Sequence, residues 1–87
     1  MYFIVTYDIN EKRVNKVRKI LKKYFTWVQN SVFEGETTES KFEKCKAELK
    51  KVIDESEDSI YFYEVDSNKK LKKTVVGTEK DLTNNIL

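Results

Sequence analysis

Two runs, Tyr2–Asp8 (YFIVTYD) and Ser59–Val65 (SIYFYEV), constrain the fold of this chain more than any other feature. Both are β-branched and aromatic, which favours strands. In the first, Tyr2, Ile4, Thr6 and Asp8 share one face while Phe3, Val5 and Tyr7 share the other. The second also carries apolar residues on both faces. Strands of this kind need cover on both sides, and an 87-residue chain has one domain's worth of material to provide it.

The intervening segments supply cover for one side. From Asn10 to about Tyr24 a helix is predicted, because Val14, Val17, Leu21 and Tyr24 recur at helical spacing. Asp8 or Asn10 is its candidate N-cap. A second helix is predicted from Thr38 or Ser40 to Ile53, on the stripe Phe42, Cys45, Leu49 and Val52. Ser40 and Glu43 form a candidate capping box. Cys45 lies on that stripe and reads as core rather than as a nucleophile. Trp27–Glu34 alternates as a strand, with Gly35 marking a turn after it. Asp66–Lys73 reads as a polar connection, and Thr74–Val76 as a short last strand closed by Gly77.

Taken literally, this order is β-α-β-α-β-β. The ferredoxin-like order βαββαβ requires a strand near 27–30 to pair with one near 31–36, and no tight-turn signal separates them. In either order, two helices cover one face of the sheet and leave the other carrying apolar residues. A two-fold homodimer is the simplest cover for that patch.

Composition removes whole classes of chemistry. With no histidine and one cysteine, the chain forms no Ser-His-Asp or Cys-His group, no His- or Cys-rich zinc site and no intrachain disulfide. A lone cysteine suits a reducing cytoplasmic setting. No apolar run approaches the roughly 18–20 residues that span a bilayer, and no signal peptide is visible, so no membrane association is expected. The net charge of +2 is unevenly spread. Residues 1–30 hold seven basic and two acidic side chains, residues 31–66 five and eleven, and residues 67–87 five and two. The first helix is therefore expected to attract phosphate, and the second to form an acidic face that repels it.

Carboxylate chemistry remains open. Asp8 ends an apolar strand just before a helix, and carboxylate-held Mg²⁺ or Mn²⁺ is a common means of phosphodiester hydrolysis. One aspartate is a poor site, but a two-fold axis near Asp8 would double it. Spacing alone also allows Asp8 to be an N-cap, with Glu11 completing a D-x-x-E box. Arg13 and Lys16 follow within two turns and could hold phosphates, although solvated helix faces carry such residues too. Ser31 could donate to phosphate. Tyr7, Trp27 and Phe33 could stack on bases, or serve as core or interface aromatics.

The strings YDI at 7–9, KILKKY at 19–24, VQNSVFEGE at 28–36 and DSIYFYEV at 58–65 resemble the small CRISPR-associated nuclease of the adaptation module, the second core Cas family. The resemblance runs from about residue 2 to 77. It implies an α+β, ferredoxin-like βαββαβ sandwich over 1–77 and a homodimer with facing sheets. It also implies a tail over 78–87 that could pair with the partner protomer. By position, Asp8 matches the family's metal-binding aspartate, with Tyr7 before it as part of the catalytic motif. Arg13, Lys16, Ser31 and Phe33 match its nucleic-acid-binding region. The implied cofactor is Mg²⁺, with Mn²⁺ as an alternative, and the implied partners are a Cas integrase and DNA or RNA. Phe25, Trp27, Asn10 and Glu11 depart from the residues common at those positions. The implied function is a metal-dependent endonuclease acting on single-stranded RNA or double-stranded DNA, taking part in spacer acquisition in antiviral defence. Two alternatives stand beside it: a non-catalytic DNA-binding scaffold of the integrase complex, and a fold-related toxin-type RNase.

Overall fold

The structure is a computed structural model that describes residues 1–66, 68 and 70–80. Seven elements follow in chain order: β1 (Tyr2–Asp8), α1 (Glu11–Tyr24), β2 (Thr26–Gln29), β3 (Val32–Glu36), α2 (Glu39–Val52), β4 (Ser59–Val65) and β5 (Leu71–Gly77). The first six make the ferredoxin-like βαββαβ unit, and β5 adds an edge strand. The sheet order is β2-β3-β1-β4-β5, with every neighbouring pair antiparallel.

The hairpin that the ferredoxin-like order demands lies inside the segment predicted as one strand. β2 and β3 pair across the two-residue connection Asn30–Ser31, with Gln29 opposite Val32. Asn30 has φ 42°, a left-handed conformation that Asn tolerates because its short side chain bonds locally. Gly35 is not a turn: it sits within β3, opposite Phe3. β5 begins three residues earlier than predicted, so Leu71–Lys73 belongs to the sheet. The acidic-helix expectation is also corrected. α2 carries five lysines and three glutamates, and the acid of this region lies in β3, in the 54–58 turn and from Glu64 to Asp66.

Both helices pack on one face. Val17 and Leu21 from α1, with Phe42, Cys45 and Leu49 from α2, meet Phe3, Val5, Phe33, Ile60, Phe62 and Val76 of the sheet. Phe42 stacks on Phe3 at 4.4 Å between ring centres and meets Phe62 edge-on at 5.1 Å. Asn10 caps α1 by accepting from the Lys12 amide, and Thr38 caps α2 by accepting from the Lys41 amide. Cys45 is fully buried in this core, which pushes its thiol up to about 12.

The opposite face has no helix. It carries Tyr2, Ile4, Thr6 and Asp8 of β1, opposite Val65, Tyr63, Tyr61 and Ser59 of β4. Tyr2, Ile4, Val65 and Leu71 are between 37% and 61% exposed there. Residues 78–80 turn onto this face and cover Tyr61, whose hydroxyl accepts from the Lys80 amide at 2.9 Å. The tail's expected pairing with a partner falls mostly on residues 81–87, outside the described residues.

Candidate metal and nucleic-acid site

Strand alternation decides where Asp8 points. Phe3, Val5 and Tyr7 face the helices, so Asp8 emerges on the open face at the end of β1. Asn10 supplies the cap of α1, leaving the Asp8 carboxylate outside the helix start. Its side chain is 69% exposed, and its one ion partner among the described residues is Lys80, with Nζ 2.6 Å from Oδ2. That bond raises the Lys80 ammonium above its usual range, against the opposing effect of burial. Lys80 is held at both ends of its own peptide unit: its amide donates to the Tyr61 hydroxyl, which donates to the Lys80 carbonyl at 3.5 Å.

Asp8 has the right chemistry for a hard divalent cation, which takes oxygen ligands from one or two carboxylates together with phosphates and waters. Among the described residues no cluster of three or more acidic, cysteine or histidine side chains could hold a metal ion. One chain therefore offers one carboxylate. It lies on the helix-free face, where a second copy could bring another.

The other predicted site residues are dispersed. Tyr7 is buried and points away from Asp8; its hydroxyl lies 3.5 Å from the Asn30 carbonyl and accepts from Arg18 Nε at 3.1 Å. Phe33 is fully buried beneath the helices, so it packs the core and reaches no base from there. Ser31 is half-buried in the hairpin connection, where its carbonyl accepts from the Tyr7 amide. Lys16 is exposed on α1. Of the three aromatics read as candidate stacking residues, Trp27 alone is exposed.

Arg13 is committed elsewhere. Its Nε and Nη2 donate to Asp58 at 2.6 and 3.1 Å, and Nη2 lies 3.3 Å from Glu57. Asp58 is completely buried and also accepts from the Asn10 and Asp54 amides. Burial alone would raise its carboxyl, but Arg13 and the two amides outweigh that and hold it at about 2. The Arg13 guanidinium is raised in return, chiefly by the bond to Asp58. This hub pins the start of α1 to the α2–β4 connection, and no buried side-chain polar atom among the described residues lacks a partner. Sequence reasoning missed both Asp58 and Lys80. Asp58 is one acid within the run DESED, and Lys80 lies 72 residues from Asp8.

Comparison with known proteins places the chain in a family. The family model described as CRISPR associated protein Cas2 matches residues 1–73. A protein of Thermodesulfovibrio yellowstonii named CRISPR-associated endoribonuclease Cas2 3 is 67% identical over 86 residues, covering 99% of this chain and 98% of its own. CRISPR-associated endoribonuclease Cas2 of Thermotoga maritima is 54% identical, covering 92% of each. A solved structure titled as cas2 superposes with a TM-score of 0.72 at 43% identity, over 93% of this chain and 91% of that one. Streptococcus pyogenes Cas2 superposes with a TM-score of 0.70 at 42% identity, over 78% and 89%. The family-model match and the similarity over nearly the whole chain establish that the chain belongs to the Cas2 family of CRISPR-associated proteins.

Proposed function

We propose that this chain is a Mg²⁺-dependent endonuclease of CRISPR antiviral defence, working as a cytoplasmic homodimer in which two Asp8 carboxylates share one cation. The observation that carries the reading is the position of Asp8: an exposed carboxylate at the strand end of the helix-free sheet face that also exposes Tyr2, Ile4, Val65 and Leu71. Pairing two such faces buries Tyr2, Ile4, Val65 and Leu71 and doubles the aspartate. Relatives at 67% and 54% identity are named endoribonucleases, which favours RNA as substrate and favours this reading over a toxin-type RNase.

The cation, Mg²⁺ or Mn²⁺, would supply charge neutralisation at the scissile phosphate and an acidified water. The chain's own residues do the rest. Each Asp8 offers a hard oxygen ligand. Lys80, paired with Asp8 in the single chain, would offer its ammonium to a phosphate oxygen wherever Asp8 is otherwise engaged. Lys16 adds a second, non-specific phosphate contact. Tyr7 acts behind the site by holding Arg18 and the hairpin, rather than by touching substrate. The test is cleavage of single-stranded RNA and duplex DNA with Mg²⁺, Mn²⁺ or chelator. Loss of cleavage in Asp8→Ala with the fold intact supports the reading, and cleavage surviving that substitution overturns it.

A second reading is favoured by the Lys80–Asp8 pair, which already satisfies the carboxylate in a single chain. On that reading the dimer is a DNA-binding scaffold for the Cas integrase in spacer acquisition. Duplex binding and integrase association would then persist in Asp8→Ala.

A further inference from the structure

The helix-covered side of the sheet ends in a feature that neither Asp8 nor the core explains. β2 is an edge strand, bonded to β3 alone. Trp27 stands opposite Phe33, a helix-facing residue, and so projects to the side of α1, away from the Asp8 face. It is 54% exposed. The ring is fixed: Nε1 donates to the Asn30 carbonyl at 2.9 Å. Beside it a half-open cleft of about 250 Å³ is lined by Trp27, Arg18 and Lys22. Arg18 and Lys22 are one helical turn apart and share a face of α1. Arg18 is aimed by its bond to the Tyr7 hydroxyl at 3.1 Å. Neither cation has an ion-pair partner among the described residues.

We infer that Trp27, Arg18 and Lys22 form a binding subsite for one unpaired nucleobase and its adjoining phosphate, on the face opposite Asp8. An anchored aromatic ring beside two cations is what single-strand recognition uses: the ring stacks on any base, and the cations take the backbone. Pre-fixing the ring lowers the ordering cost of binding. The ligand is therefore single-stranded nucleic acid in preference to a duplex, whose bases are already stacked. The inference takes its ligand class from the nucleic-acid reading above, but it does not require metal or catalysis.

Trp27 is the only tryptophan, so its fluorescence reports this cleft alone. The full chain is titrated, in chelator, with a short labelled single-stranded RNA, the matching duplex, uridine monophosphate and inorganic phosphate. Anisotropy is read in parallel for the labelled strands. The subsite predicts quenching by the single strand, weaker quenching by the duplex, and some quenching by the mononucleotide but none by phosphate. Trp27→Ala should weaken single-strand affinity roughly tenfold, with Trp27→Phe restoring most of it. Lys22→Gln should lower the salt dependence by about one phosphate contact. Single-strand binding without quenching, or with undiminished affinity in Trp27→Ala, overturns the subsite while sparing the nucleic-acid reading. Quenching by phosphate alone overturns base stacking. Absence of any strand binding overturns both.

Discussion

The Lys80 ammonium sits 2.6 Å from the Asp8 carboxylate, an ion pair that closes across 72 residues of chain on the open face of the sheet. It places an internal cation where the proposed divalent one would sit. Both side chains are well exposed, so the pair adds little to stability. Its consequence is competition. Lys80→Ala is predicted to raise affinity for Mn²⁺ by about two- to fivefold, read by calorimetry, while changing unfolding free energy by less than about 1 kcal/mol. Unchanged or weaker Mn²⁺ binding would count against Lys80 as the resident cation of Asp8.

Asp58 gives a prediction for acid. Its folded pKa of about 2 lies below the unfolded value of about 3.9. A depressed carboxyl contributes stability above its unfolded pKa and loses it as pH falls through the folded one. About 2 kcal/mol should therefore disappear between roughly pH 4 and pH 2. Asp58→Asn should lower stability near neutral pH by about 2–3 kcal/mol, because the Arg13 guanidinium loses its buried partner. It should also flatten that acid limb. Urea titrations of both proteins across this range check the pair of effects.

Gly77 is the other fixed point near that hub. Its φ is +93°, and a Cβ there would lie 2.1 Å from the Asp58 carbonyl oxygen. That oxygen also accepts from the Thr78 amide. Gly77→Ala thus meets backbone strain and a backbone clash together, with a predicted cost of about 2–4 kcal/mol. Because residues 78–80 carry Lys80 to Asp8, the same substitution should reproduce the Mn²⁺ effect of Lys80→Ala. Chemical denaturation and calorimetry test the two parts.

What could be read from sequence was what alternation and helical spacing encode. β1, β4 and both helices lie where Phe3, Val5 and Tyr7, or Val17 and Leu21, repeat toward one side. The hairpin escaped notice because Asn30 supplies the left-handed residue without a neighbouring glycine. The start of β5 was masked by Lys72 and Lys73, charges that suit an edge strand and resemble a loop. At the site, Asp8 could be picked out by its place at a strand end. Arg13 could not be distinguished from a phosphate contact, because its partner Asp58 comes 45 residues later. Phe33 matched a motif string, and only the three-dimensional packing makes it core.

On the proposed reading, Asp8 becomes a cation site only by being doubled across a two-fold axis. The decisive experiment is Mn²⁺ stoichiometry, measured by calorimetry on protein whose mass in solution is determined in parallel. The expected result is a dimer binding one ion per two chains, with binding abolished in Asp8→Ala and the dimer retained. One ion per chain, or binding that survives Asp8→Ala, would contradict it.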